Sequence, residues 1–148
     1  MVKRLKPDKE PEGQWSIIAL ATSQNDYRAA YLINSALGFD LRRGFDFGFY
    51  HDSLVDVQYY PFYRYQFSDR PETWFLIANR NGERPLVQAF RTTDFFLIAR
   101  ECYDADRIKS VVSGINKIQG LWAHLLQEKD LRKFYQILED LELHLIGS

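Results

Sequence analysis

The sequence contains almost no cysteine and no long apolar run. Cys102 is the single cysteine among 148 residues, so no disulfide can form within the chain. The longest apolar runs, Ile17–Ala21 and Phe95–Ala99, are far shorter than the ~20 residues that a membrane-spanning helix needs. Met1–Glu12 carries charged residues but lacks the apolar core of a secretory signal. These absences predict a cytoplasmic protein with no membrane partner.

No excess of charge of either sign is present. The chain has 19 basic and 20 acidic side chains, which give a formal net charge of −1. This balance provides no overall field that would attract nucleic acid or an anionic membrane. Hydrophobic residues make up 46% and charged residues 26%, as in globular proteins that form a core without a structural metal. We therefore expect a globular domain and no nucleic-acid partner.

The motifs of the common catalytic, metal and nucleotide sites are also missing. His51, His124 and His144 are far apart, and no His-x-His or Cys-x-x-Cys pair exists to bind zinc or iron. The glycines form no Gly-x-Gly-x-x-Gly or Gly-x-x-x-x-Gly-Lys loop, and no Gly-x-Ser-x-Gly elbow is present. We therefore predict no catalytic residue, no metal and no cofactor, and a chain that is not an enzyme.

Cys102 is the one candidate nucleophile. It follows an apolar run and precedes a predicted helix, where backbone N–H groups could stabilise a thiolate. Glu101, Asp104 and Asp106 surround it in sequence, and their charges would raise the pKa of the thiol. A structural cysteine is therefore the preferred interpretation.

The start of the chain predicts a lead segment, a strand and a helix. Residues 1–13 are rich in charged residues and proline and are predicted to be flexible, with a single domain over residues 14–148. Trp15–Ala21 has no period of two, as expected of a strand buried on both faces. The Ser-x-x-Asp pattern at Ser23 predicts the cap of a helix that Gly38 ends. The predicted apolar stripe of this helix comprises Ala29, Leu32, Ile33, Ala36 and Leu37.

The middle of the chain predicts an antiparallel meander. Phe45, Phe47 and Phe49 occupy alternate positions and are predicted to form the core-facing side of one strand. A second run, Leu54–Phe67, contains Pro61, which has no N–H to donate and therefore predicts an edge or a bulge. Further strands are predicted at Thr73–Asn79, Leu86–Phe90 and Asp94–Arg100, with a hairpin turn at Asn81-Gly82.

The last third predicts a helix between two strands, followed by a final helix. Asp104 or Asp106 can cap the first of these helices, and Leu121–Leu126 then forms a strand parallel to the preceding one. The final helix is predicted to begin at Asp130. The predicted fold is therefore α+β, with a mostly antiparallel sheet and about three helices in two layers. Its closest match is a ferredoxin-like core with an inserted β-meander.

Aromatic residues reach 16% and are concentrated between Phe39 and Phe67. Val57–Phe67 contains more rings than one face of a strand can hold, and a single helical layer can cover only one face. A contiguous exposed aromatic patch commonly marks an interface. We therefore predict a homodimer whose interface includes Tyr59, Tyr60, Phe62, Tyr63 and Tyr65.

The segment from Arg43 to Tyr50 (RGFDFGFY) resembles the first ribonucleoprotein motif of RNA-recognition domains, whose strand aromatics stack on unpaired bases. Asp46 departs from that motif and places a negative charge where a phosphate backbone would run. The motif also follows the first helix almost directly, although it lies on the third strand of those domains. RNA binding is therefore the third hypothesis for function.

Three arginines lie near predicted strand ends. If Arg80, Arg91 and Arg100 converged, they could bind the carboxylate or phosphate of a small ligand. If they stay apart, they form the solvated rim of the sheet, which is the more ordinary arrangement.

The segments Asn25–Arg28 (NDYR) and Leu32–Gly38 (LINSALG) resemble a family of small uncharacterised bacterial proteins named IPExxxVDY. The order of elements is similar over most of the chain. The resemblance implies a small cytoplasmic protein, and it implies no activity, cofactor or catalytic residue.

The leading hypothesis for function is a small non-enzymatic interaction module that forms a homodimer. The alternative is a small-ligand-binding regulatory domain, because domains with this predicted fold often bind metabolites at sheet edges or dimer seams.

Overall fold

The structure is a computed structural model that describes residues 11–52 and 54–146, with side chains to residue 143. Residues 1–10, most of the predicted flexible lead, lie outside the described residues. The strands are β1 (Trp15–Ala21), β2 (Arg42–Arg43), β3 (Phe47–His51), β4 (Asp56–Tyr60), β5 (Phe62–Gln66), β6 (Thr73–Ala78), β7 (Phe95–Arg100) and β8 (Trp122–Leu125). The helices are α1 (Asp26–Leu37), α2 (Ala105–Asn116), α3 (Glu128–Leu131) and α4 (Tyr135–Ile146), with 3₁₀ turns at Gln88–Phe90 and Arg132–Phe134.

Six strands form one antiparallel sheet in the order β2-β5-β6-β7-β1-β8. β1 is antiparallel to both of its neighbours, so β7 and β8 run in the same direction, as predicted. Without the inserted strands β2 to β5, the chain order β1-α1-β6-β7-α2-β8 is the ferredoxin-like one. The predicted α+β class and antiparallel sheet are confirmed, and the insertion lies between α1 and β6.

The central strands contribute to two separate cores, one on each face of the sheet. In β1, Ile18 and Leu20 pack in the core that α1 and α2 cover, whereas Ile17 and Ala19 pack in the opposite core. All four side chains are buried. The prediction that Trp15–Ala21 is a strand buried on both faces is therefore confirmed.

The prediction of two layers is wrong, because helices cover both faces of the sheet. α4 supplies Ile137, Leu138 and Leu141 to the second core, opposite α1 and α2. The cause lies in the central strands: β1, β6 and β7 are apolar at successive positions, so both of their faces must be covered.

The cap of α1 differs from the predicted one. Asn25, and not Ser23, is the N-cap, and its side-chain oxygen accepts a hydrogen bond from the Arg28 N–H at 3.0 Å. Gly38 ends the helix in the left-handed conformation, as predicted, with φ at 69°.

The buried stripe of α1 is rotated relative to the predicted one. Ala29, Ala30 and Ile33 are buried, whereas Leu32 is half-buried and Ala36 is exposed. The helical spacing of the predicted stripe is correct, but more than one set of apolar positions on α1 has this spacing. Which set is buried depends on how the helix packs against the sheet.

Pro61 separates two strands that belong to different sheets. β4 pairs with β3 in a two-stranded hairpin, whereas β5 pairs with β6 and β2 in the main sheet. The predicted interruption at Pro61 is therefore confirmed. The inner side of the β3–β4 hairpin carries Phe47 and Tyr60, which pack in the same core as α4.

The predicted strand at Leu86–Phe90 is not formed. β6 pairs directly with β7, and the segment between them is a loop that contains the 3₁₀ turn Gln88–Phe90. Asn79 holds this loop, since its buried side chain bonds to the backbone of Val87, Phe90 and Thr93. Leu86 and Val87 therefore cover the second core from a loop, and their apolar character does not require a strand.

Candidate functional site

The five aromatic residues predicted to form an interface do not share a surface. Tyr60, Phe62 and Tyr63 are buried and Tyr65 is half-buried, whereas Tyr59 is 59% exposed. The prediction assumed that one face of the sheet lies open. Because α4 and the hairpin cover that face, rings on both sides of β5 are buried within the chain itself.

The three candidate arginines do not converge. Arg80 follows β6 and Arg100 is the last residue of β7, so they lie at opposite ends of this antiparallel pair. Arg80 forms an ion pair with Asp94 at 3.2 Å, and Arg100 forms one with Glu142 at 2.7 Å. Arg91 is exposed in the loop before β7. The structure therefore places all three on the rim of the sheet and forms no shared anion site from them.

A largely buried polar cluster is centred on Glu72, just before β6. Its carboxylate accepts hydrogen bonds from Arg107 Nε at 2.7 and 2.9 Å and from Trp74 Nε1 at 2.5 Å. The Arg107 guanidinium lies 5.0 Å from the ring centroid of Phe67. These partners all come from the chain, so the cluster ties α2 to the sheet.

Cys102 lies beside this cluster and is buried. Burial and the nearby Glu72 carboxylate raise the pKa of the thiol. The predicted direction of the shift is confirmed, but its main cause is burial and not the three carboxylates near it in sequence. The geometry thus favours a protonated, structural cysteine.

The histidines are separated in space as well as in sequence. His51 is buried, and its Nε2 lies 2.7 Å from the Tyr60 hydroxyl, whereas His124 is exposed on β8. The side chain of His144 lies outside the described part of the chain. Within residues 11–52 and 54–146, no group of three His, Cys, Asp or Glu side chains is placed to hold a metal ion.

An exposed apolar surface lies on the outer side of the β3–β4 hairpin. Gly48 pairs with Tyr59 and Tyr50 pairs with Val57, so these four residues share the side opposite Phe47 and Tyr60. We call them the outer hairpin face. The Tyr59 ring covers Gly48 so closely that a Cβ there would lie 3.0 Å from Tyr59 Cε1.

The outer hairpin face continues into other exposed apolar residues. Leu54 and Val55 lie in the turn between β3 and β4 and are exposed. Val55 adopts a φ of 52°, which is costly for a β-branched residue. A strained, apolar turn in solvent is an unfavourable feature for the isolated chain. Contact with another molecule would account for the apolar side chains.

A groove of about 540 Å³ borders this face. It is lined by Arg43, Gly44, Phe45, Asp46 and Tyr59. The Phe45 ring is 92% exposed, more than any other large apolar side chain of the described chain. The Arg43 Nη2 atom lies 2.5 Å from Asp46 Oδ1, so the charges of the groove are already paired.

The prediction that Phe45, Phe47 and Phe49 share one core-facing side is wrong for Phe45. β3 begins only at Phe47, which is buried, and Phe49 is half-buried. Phe45 belongs to the loop before the strand, and outside a strand the alternation with Phe47 does not determine which way its side chain points. The exposed Phe45 was therefore missed, although the Gly44 and Asp46 beside it are typical loop residues.

A scan against protein-family models finds no match to this chain. No curated protein is significantly similar to it in sequence. Among the described residues, no helix is long and apolar enough to cross a membrane.

Proposed function

We propose that this chain is a non-enzymatic interaction module that forms a homodimer through the outer hairpin face and the adjoining groove. The observation that carries the proposal is the exposed apolar surface formed by Phe45, Tyr59 and Val57. Large apolar patches are uncommon on monomers and are typical of interfaces. A second copy is always present at the same concentration, and a two-fold contact uses one surface twice.

Other features are consistent with this proposal. The ion pair between Arg43 and Asp46 leaves the groove close to neutral, so two copies would not repel each other there. The single cysteine is buried and unpaired, which agrees with the proposed cytoplasmic location. The resemblance to IPExxxVDY proteins also remains a proposal, and it adds no activity.

Light scattering at micromolar concentration tests the dimer. The unmodified chain should have the mass of two copies, whereas a variant with Val57→Glu and Tyr59→Glu should have the mass of one and keep its circular dichroism spectrum. The matched control is Tyr27→Glu with Tyr31→Glu, two tyrosines that are also exposed, on α1. A monomeric unmodified chain, or a dimer that only the control variant disrupts, would contradict the proposal.

The second candidate function is the binding of a small ligand in the groove. The groove is open to solvent, so a ligand bound there would be covered on one side only. Because Arg43 already binds Asp46, the groove fits an apolar, planar ligand that stacks on Phe45 or Tyr59 better than a small anion. RNA binding has less geometric support, because Phe47 of the RNA-binding-like motif is buried and cannot stack on a base.

A further inference from the structure

Phe45 projects from the surface and also forms one wall of the open groove. The ring is 92% exposed, and the groove next to it has Tyr59 as one wall and the backbone at Gly44 as part of its lining. A two-fold contact can use such a pairing, because each copy presents both the projecting ring and the groove that receives it.

The charges of the groove have the same self-complementary arrangement. Arg43 and Asp46 are each a little over 40% exposed, so a second molecule can approach both of them. When two copies meet about a two-fold axis, Arg43 of one copy can face Asp46 of the other, and the reverse contact forms at the same time. Charge complementarity therefore favours a second copy over a partner of one net charge.

The loop is also held in place before any contact forms. Arg43 Nη1 donates to the Gly44 carbonyl at 3.0 Å, and the Gly44 N–H donates to the Phe62 carbonyl at 3.0 Å. The Arg43 guanidinium lies 5.6 Å from the Tyr63 ring centroid. Little conformational freedom would be lost when Phe45 is buried, which favours association.

We infer that each copy inserts Phe45 into the groove of the other, against Tyr59, while the Arg43–Asp46 ion pair within each copy is exchanged for two ion pairs between the copies. This inference rests on the proposed homodimer and specifies which side chains meet. Its centre is a buried aromatic ring, the type of residue that contributes most to binding at interfaces.

Exchange of charges between two variants tests the pairing. In the Arg43→Glu variant, the new glutamate of one copy would face Asp46 of the other, so two acidic groups would meet. In the Asp46→Arg variant, the new arginine would face Arg43 of the other copy, so two basic groups would meet. Each variant alone should therefore be a monomer at micromolar concentration. In an equal mixture, the glutamate introduced in one variant faces the arginine introduced in the other, and the unchanged Arg43 faces the unchanged Asp46. We therefore expect the mixture to form heterodimers, measured by mass photometry with one variant carrying a mass tag. Folded single variants whose mixture stays monomeric would overturn the inference.

A second variant separates this inference from the dimer itself. Phe45→Ser removes the projecting ring from an exposed loop and should leave the fold intact, while the dimer dissociation constant rises about thirtyfold. Tyr103→Ser, which removes another exposed ring far along the chain, should leave the constant unchanged. If Phe45→Ser remains as tight a dimer as the unmodified chain while the Val57→Glu and Tyr59→Glu variant is monomeric, the homodimer stands and the Phe45 contact is wrong. If the unmodified chain is a monomer, both are wrong.

Discussion

The side-chain amide of Asn116 binds both backbone polar groups of Ala123. Its Nδ2 donates to the Ala123 carbonyl at 2.9 Å, and its Oδ1 accepts from the Ala123 N–H at 2.7 Å. Ala123 lies in β8, an edge strand of the sheet, so the amide occupies backbone groups that would otherwise be open to another strand. Asn34 binds Leu41 in the same way, immediately before β2 at the other edge.

We predict that Asn116→Ala destabilises the fold and exposes the β8 edge. Two hydrogen bonds are lost, so the free energy of unfolding should fall by about 1–3 kcal/mol in urea denaturation. The open edge should also increase concentration-dependent aggregation, measured by light scattering. Lys117→Ala, at the exposed neighbouring position, is the control. Equal stability of these two variants would show that the amide bonds contribute nothing.

Sequence patterns predicted the central fold well, because it depends on local periodicity. The strands β1, β6 and β7 are continuous apolar runs, and Gly38 and Asp104 mark helix ends through local backbone chemistry. The two-layer prediction failed because an apolar run does not show which distant element will cover it. α4 covers the second face from the far end of the chain. The spacing of apolar residues within one segment cannot predict such a contact between distant segments.

The candidate site was harder to predict for the same reason. Alternation placed Phe45 on a strand, but the strand begins two residues later, and the position of a strand end depends on pairing with β4. The two asparagines that bind the sheet edges share a sequence pattern. Asn34 and Asn116 each stand four residues before a glycine with positive φ. Such a pattern predicts a helix end and does not by itself predict the contact with a sheet edge.

The first helix provides a direct test of which side chains it buries. Ile33 is fully buried at the centre of the stripe, whereas Leu32 is half-buried. Ile33→Ala should lower the free energy of unfolding by about 2–5 kcal/mol through cavity formation. Leu32→Ala should lower it by less than half as much in the same urea titration. A larger effect at Leu32 would restore the stripe predicted from the sequence.

The ion pair between the buried Glu72 and the half-buried Arg107 should show coupling. Arg107→Ala leaves the buried Glu72 carboxylate with Trp74 as its nearest donor and the Arg70 guanidinium 4.0 Å away, so it should cost about 1–3 kcal/mol of stability. In a Glu72→Gln background the same substitution should cost much less, because no buried charge is left unpaired. A double-mutant cycle in urea measures the coupling. Additive effects of the two substitutions would contradict the structural role given to the pair.

His51 should make stability depend on pH in a mildly acidic range. Burial, together with the nearby Arg84 charge, lowers the pKa of His51 below its ordinary value of 6.5 in the folded chain. The unfolded chain therefore binds the proton first as the pH falls, and stability decreases from about pH 6.5 downwards until the folded form is protonated as well. Well above this pKa both states are neutral, and the contribution of His51 no longer changes.

We predict that His51→Gln reduces the loss of stability between about pH 7.5 and pH 5. Glutamine does not titrate, and its amide can still form a hydrogen bond with the Tyr60 hydroxyl, which lies 2.7 Å from His51 Nε2. The measurement is the urea midpoint at intervals across this range, where most carboxylates stay ionised in both states. His124→Gln, at an exposed position on β8, is the control for the exchange of a histidine for glutamine. If His51→Gln keeps the pH profile of the unmodified chain, the acid sensitivity comes from other groups and the buried histidine does not control the stability of the hairpin.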